Sequence, residues 1–207
     1  MDKVCAIISG GEFAPLSDIE RADFIIACDK GYEYAKNNGI IPHLFIGDFD
    51  SFSGKTPSGL PTVTLPCEKD ETDTMAAIKC AVSKGFTEIL LFCALGGRLD
   101  HLLGNLGAAA YAAKAGLTVK IKDLENEIYV FSNSKITIPK KDDFSISLIS
   151  LTDKCEGVSI SGGKYPLQNA VLTNVSTLGI SNEWIDDITV TAKTGVLAIV
   201  MSKIKEK

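Results

Sequence analysis

No two of the six cysteines stand as a Cys-x-x-Cys pair; Cys5, Cys28, Cys67, Cys80, Cys93 and Cys155 are scattered along the chain. That spacing argues against a zinc module and against a disulfide framework. Cys5, Cys28 and Cys93 sit inside apolar runs and read as small buried hydrophobes. No apolar run nears the roughly 18 residues of a membrane helix, and Met1-Asp2-Lys3 leads into too brief an apolar stretch for a secretory signal. Positive charge is in deficit as well. Against 26 Asp and Glu there are 21 Lys and Arg, a net charge of -5 and a pI of about 5.1. This argues against a nucleic-acid or anionic-membrane partner, each of which wants a basic face, but not against a nucleotide ligand held by a local site. There is no Gly-x-x-x-x-Gly-Lys-Ser/Thr loop and no protein-kinase signature. What remains is a reduced, soluble, cytoplasmic protein of 207 residues, large for one domain and small for two.

What is present begins with apolar runs. Val4–Ile8, Phe24–Cys28, Leu44–Ile46 and Ile89–Cys93 are continuous rather than alternating, as strands of a parallel sheet covered on both faces are. Thr62–Leu65 and Leu117–Lys122 read as further strands. Between them the spacing predicts helices over Tyr32–Asn37, closed by Gly39, and through Met75, Ile78 and Val82. A third helix opens at Gly96-Gly97-Arg98, with Leu99, Leu102, Leu103, Leu106, Ala110 and Ala113 on one face and Arg98, His101 and Asn105 on another. After Asp123 the pattern changes to short Val-, Ile- and Thr-rich segments: 127–131, 135–138, 144–150, 157–161, 188–191 and 196–201. Several of these alternate, as in Phe144-Ser145-Ile146-Ser147-Leu148. The expectation is an α/β domain over residues 1–124, three-layered α/β/α with a mainly parallel sheet. An all-β sandwich or barrel follows over 125–207.

The chemistry gathers where strands end. Gly47-Asp48-Phe49-Asp50-Ser51 follows an apolar run, and on extended backbone Asp48 and Asp50 point to the same side. Two such carboxylates repel unless a cation or strong donors join them, and Mg2+ suits oxygen ligands shared with substrate phosphates. An ordinary polar turn is the plain alternative. Lys69, Asp70, Thr72 and Asp73 precede the second helix, where Asp70 or Thr72 can serve as N-cap and acids are favoured by the dipole. Gly96-Gly97-Arg98 leads into a helix N-terminus, a ready anion site, and Arg98 adds a fork suited to phosphate oxygens. Asp100 can pair with Arg98, orient His101 or join a metal site. Together these groups suit phosphoryl-type transfer, which needs mostly positioning and electrostatics.

Three ordered stretches, Gly47–Ser51, Lys69–Asp73 and Gly97–Asn105, resemble the motifs of the thiamine pyrophosphokinase (thiamine diphosphokinase) family. Asp29-Lys30-Gly31 resembles its early Asp-x-Gly turn, with Lys30 where a small residue is expected, and Gly179–Glu183 resembles its thiamine-side segment. The resemblance implies diphosphoryl transfer from ATP to the thiamine hydroxyl, giving AMP and thiamine diphosphate. It also implies a homodimer with thiamine bound between subunits. Carried over by position, Asp48, Asp50 and Asp73 would hold Mg2+, and Asp73 or Asp100 would orient or deprotonate the hydroxyl. Asp48, Lys69, Asp70, Thr72, Gly97, Arg98, His101 and Asn105 would serve ATP, with Arg98 also steadying the transferring group. Asp29, Ser181 and Asn182 would meet thiamine. Trp184 is added on chemical grounds, since a flat cationic ligand suits an aromatic face; packing at a seam is its alternative. A pyrophosphokinase acting on a pterin alcohol and a non-enzymatic nucleotide or thiamine sensor are the competing readings.

Overall fold

A computed structural model describes residues 3–47, 59–64 and 71–204. Its first half follows the apolar runs: β1 (Val4–Ile8), β2 (Phe24–Cys28), α1 (Gly31–Asn37), β3 (Leu44–Gly47) and β4 (Thr62–Thr64). Then come α2 (Asp73–Ser83), β5 (Glu88–Phe92), α3 (Leu99–Lys114) and β6 (Thr118–Lys122). These strands pair in parallel in the order β4-β3-β2-β1-β5-β6. Because β1 and β5 are covered on both sides, they alternate in the partner they meet rather than in polarity. Cys5, Ile7, Ile89 and Leu91 pack under α2 and α3, whereas Val4, Ala6, Ile8, Leu90 and Phe92 pack with Ala35 of α1 and Ile19 of a short 3₁₀ turn.

The packing of α3 differs from the expected stripe. Leu99 and Leu103 are exposed, and the buried face is Ala108, Ala109, Ala112 and Ala113 with Leu102 and Leu106 at its border. Alanine at the contact lets the helix axis approach the sheet closely; of the expected stripe Leu102, Leu106, Ala110 and Ala113 pack at the core, and Leu99 and Leu103 stay outside it.

α1 is held against β1 by a close approach of backbones. A Cβ placed on Gly31 would stand 2.1 Å from the Ile8 carbonyl oxygen and 2.9 Å from that of Ser9. Backbone cannot yield as a flexible side chain does. Gly31→Ala is therefore expected to destabilise the protein by about 2 kcal/mol and to lower Tm by about 4–8 °C. Thermal unfolding followed by circular dichroism checks this, and an unchanged midpoint would mean that α1 can lift off the sheet freely.

The second half comprises β7 (Asn126–Ile138), β8 (Phe144–Ser150), β9 (Lys154–Gly163), β10 (Leu167–Thr173) and β11 (Trp184–Lys203). It corrects the sequence reading in two ways. Segments 127–131 and 135–138 are one strand, as are 188–191 and 196–201. The breaks fall at a bulge where Lys193, Thr194 and Gly195 face Asn133 alone. At that bulge the polar Ser132-Asn133-Ser134 and the positive φ of Asn133 and Gly195 interrupt the apolar pattern without ending the pairing. Second, the β segment is not a separate sheet. β6 pairs antiparallel with β7, so hydrogen bonding runs unbroken from β4 to β10. β11 lines β7 on one edge and both β9 and β8 on the other, enclosing Phe131, Ile146, Leu148, Ile160, Val190 and Ile199.

Where the parallel strands meet the antiparallel ones, the face opposite α3 carries a buried ionic knot. The Glu127 side chain is 5% exposed and meets Lys120 Nζ at 3.0 Å as well as Lys141. It also accepts a 2.8 Å hydrogen bond from the Tyr129 hydroxyl. Burial pushes the carboxyl up, but Lys141, Lys120 and Tyr129 outweigh it and hold the group at about 2.

Candidate active site

The chain reverses direction across β1: β2, β3 and β4 are added on one side of it and β5 and β6 on the other. In an open parallel sheet, ligands enter beyond the strand C-termini at such a switch point. A cleft of about 700 Å³ lies there. Ser9 to Glu12 line it after β1, and Cys28, Asp29 and Lys30 after β2. Glu71 to Thr74 contribute from the start of α2, and Ala94, Gly96, Gly97 and Arg98 from the turn after β5; His101 and Asn105 face it from α3.

At the head of α2 the cap is Thr72, whose hydroxyl accepts from the Met75 N–H at 3.2 Å. Asp73 follows as the first helical residue, where a carboxylate is favoured by the exposed N–H groups. Asp29 sits at the end of β2 with φ 45° and donates its N–H to the Ile46 carbonyl at 3.2 Å. Its Oδ1 occupies the space a Cβ on Gly47 would need, 2.3 Å away. Asp29 and β3's last residue are thus packed together at the rim of the cleft.

The turn after β5 is shaped by Gly96 and Gly97, at φ 78° and 63°. A side chain on Gly96 would also meet Glu12 Oε2 at 2.3 Å. Arg98 grips Asp100 with two bonds, Nε to Oδ1 at 3.1 Å and Nη2 to Oδ2 at 2.6 Å. The Arg98 guanidinium holds the Asp100 carboxyl at about 2, and the His101 N–H, donating to Oδ1 at 3.0 Å, adds to this. Of the options open at the sequence level, Asp100 takes the pairing with Arg98. Asn105 donates to the Ala94 carbonyl at 2.8 Å, fastening α3 to the same turn.

Two of the residues expected on the thiamine side, Ser181 and Asn182, lie elsewhere in the chain. Ser181 and Asn182 line a second cavity of about 320 Å³ on the β segment, with Leu148, Tyr165, Leu178 and Ile180. The Asn182 side chain holds this wall together. Its Oδ1 accepts from the N–H groups of Tyr165 and Glu183 at 2.9 Å, and its Nδ2 donates to the Tyr165 carbonyl at 2.8 Å. Ser181 is at φ 58°, its N–H donating to Ser147 Oγ at 3.0 Å. Trp184 lines neither cavity; it packs against the β core, its indole N–H buried without an acceptor among the described residues.

The structure therefore brings Asp29, Thr72, Asp73, Gly97, Arg98, His101 and Asn105 to one cleft and Ser181 and Asn182 to another. Asp48, Asp50, Lys69 and Asp70 lie outside the described residues. Among the described residues no three His, Cys, Asp or Glu side chains gather to hold a metal ion. Ser9, Glu12, Cys28 and Thr74 were missed from sequence. Their only signal is position, at strand ends or one residue past a motif.

Two family models match the chain. "Thiamin pyrophosphokinase, catalytic domain" covers residues 17–121, and "Thiamin pyrophosphokinase, vitamin B1 binding domain" covers 133–197. A curated relative, the thiamine pyrophosphokinase of Bacillus subtilis, is 32% identical over 193 residues, spanning 88% of this chain and 90% of its own length. The solved structure of thiamine pyrophosphokinase from Bacillus subtilis superposes with a TM-score of 0.86 at 31% identity, covering 98% of this chain and 100% of that one. The thiamin pyrophosphokinase structure from Geobacillus thermodenitrificans gives 0.81 at 29% identity, covering 98% and 99%.

Proposed function

The chain belongs to the thiamin pyrophosphokinase family, and from that premise we propose how its own residues carry out the reaction. The enzyme transfers a diphosphoryl group from ATP to the hydroxyl of thiamine, giving thiamine diphosphate and AMP. The observation that carries the site assignment is the meeting of two separate motifs, Thr72-Asp73 and Gly97–Asn105, in one cleft at the switch point of the sheet.

ATP enters this cleft. The Gly96-Gly97 turn and the first N–H groups of α3 cradle phosphate oxygens, and the Arg98 fork transfers from Asp100 to the phosphates, where its planar geometry matches theirs. His101 and Asn105 bound the nucleotide from α3. The Asp73 carboxylate lines the same cleft, a hard-oxygen donor of the kind Mg2+ takes. Asp73 would hold the ion together with Asp48 and Asp50. Mg2+ would supply neutralisation of polyphosphate charge.

The thiamine oxygen forms its bond to the β-phosphorus as the bond from that phosphorus to the α–β bridging oxygen breaks, and AMP leaves with that oxygen. The hydroxyl proton passes to a carboxylate. We assign this role to Asp73, which the start of α2 places in the cleft beside the phosphate-binding turn.

The division of the site supports the reading of a homodimer. The two thiamine-side groups of residues, Asp29 on one hand and Ser181 and Asn182 on the other, line different cavities of one chain. Large apolar side chains stay exposed beside both: Leu99 and Leu103 next to Arg98, and Tyr165, Leu178 and Ile180 at the second cavity. A partner's β segment laid over the α3 side would cover them and complete the site.

Incubation with ATP, Mg2+ and thiamine is expected to yield AMP and thiamine diphosphate in equal amounts. ADP with thiamine monophosphate would overturn attack at the β-phosphorus, and AMP released only with a pterin alcohol would overturn the thiamine assignment. Arg98→Lys is expected to reduce kcat/KM by about a hundredfold, because an ammonium cannot reproduce the two-pronged contact. Steady-state kinetics check this, and full activity would return Arg98 to a surface role. Sedimentation is expected to give a dimer at assay concentration; an active monomer would exclude the shared site.

A further inference from the structure

Two buried hydroxyls stand in the wall of the cleft. Ser9, just past the end of β1, is 1% exposed, and Thr74, the second residue of α2, is 7% exposed. Their oxygens are 2.8 Å apart. The contact joins positions 65 residues apart in sequence and ties the head of α2 to the central strand of the sheet. A second tie lies beside it: the Cys28 thiol, at the end of β2, donates to the Asp73 carbonyl at 3.6 Å. The two residues of α2 fastened in this way are Asp73 and its neighbour.

Folding stability alone is a poor reason for such a pair. The net gain from a hydroxyl–hydroxyl bond is small, and replacing both partners with apolar groups of similar shape is often nearly neutral. Geometry is the better reason, because the hydrogen bond has a preferred length and direction that an apolar contact lacks. Thr72 already caps α2 from within, which forms the helix turn but does not fix where that turn sits over the sheet. The Ser9–Thr74 bond does.

We propose that Ser9 and Thr74 are a positioning pair that sets the first turn of α2, and with it the Asp73 carboxylate, over the cleft. This rests on the reading of Asp73 as the group that serves metal and substrate hydroxyl. The pair sits in the cleft wall and acts on the reaction through Asp73. Its loss lowers kcat while substrate binding and folding persist, since small misplacements of a reacting group have large kinetic effects.

The test uses the full-length enzyme as Ser9→Ala, Thr74→Val, the double variant, Thr74→Ser and, in the same series, Asp73→Asn. For each, kcat, KM for ATP, KM for thiamine and Tm are measured. Thr74→Val is expected to lower kcat about tenfold to hundredfold with both KM values within about twofold and Tm within a few degrees. Thr74→Ser, which keeps the hydroxyl, is expected to restore most of kcat. The double variant is expected to be no worse than the poorer single one, because the two hydroxyls act as one unit.

Unchanged kcat in Thr74→Val with an inactive Asp73→Asn would overturn the pair and leave the Asp73 reading standing. A raised KM for ATP at unchanged kcat would overturn it differently, by making the hydroxyls direct nucleotide contacts. Loss of kcat that Thr74→Ser does not rescue would reduce the pair to packing. Normal activity in Asp73→Asn would remove the premise itself, whatever Thr74→Val does.

Discussion

Asp73→Asn is expected to lower kcat about a thousandfold or more while leaving Tm within about 3 °C of the parent. The substitution keeps shape and volume and removes one negative charge at the first position of α2. The helix cap itself does not depend on that charge. Thr72 makes the capping bond to Met75, and a carboxylate in the first turn adds only about 0.3–1 kcal/mol to a helix. Chemically, much depends on it. Asp73 is the carboxylate assigned to take the hydroxyl proton, and an amide in its place cannot accept it. Steady-state kinetics beside thermal unfolding decide the matter. Near-parental kcat would take Asp73 out of the reaction, and a collapse of Tm would make it a structural residue of the helix terminus.

Glu127→Gln is expected to destabilise the protein by about 3 kcal/mol near pH 7, the value of a carboxyl lowered from 4.5 to about 2 at about 1.4 kcal/mol per unit. The carboxylate is buried between Lys120 and Lys141, at the seam where β6 and β7 join the parallel and antiparallel parts of the sheet. The folded state holds its proton less tightly than the unfolded chain does. Its contribution is therefore fully present above pH 4.5 and is lost as pH falls from there to about 2. Urea denaturation of both forms from pH 7 to pH 2.5 checks this. The gap between parent and variant is expected to close toward the acid end, where Glu127 is protonated in both states. A gap independent of pH would mean that lost packing, not the charge, is what the variant removes.

Much of the site was legible because its residues are governed by local rules. Thr72 and Asp73 stand where a helix must begin, and Gly96-Gly97 stands where only positive φ continues the chain. Arg98, His101 and Asn105 are brought to one side by helical spacing alone, and all three line the cleft. Asp100 was not legible, because its choice among three partners depends on side-chain conformations at an exposed helix start. Ser9, Glu12, Cys28 and Thr74 carry no pattern of their own; each matters through a contact with an element distant in sequence. Of the apolar face on α3, Leu102, Leu106, Ala110 and Ala113 meet the core while Leu99 and Leu103 do not, because helical spacing marks an apolar face without saying what covers each part of it.

The sequence by itself determined the buried parallel strands, the helix caps, the order of the acidic and basic motifs and the change to β structure after residue 123. Continuous apolar runs, capping residues and glycines act over a few residues, and so leave local signatures. Tertiary structure alone decided three things. β7 and β11 run through their polar bulges because pairing on both edges outweighs local propensity. The sheet continues from the α/β part into the β part because β6 leaves an edge that β7 must satisfy. And the head of α2 is tied to the sheet by the Ser9 and Thr74 hydroxyls and the Cys28 thiol, since a hydrogen bond spanning 65 residues of sequence has no local trace.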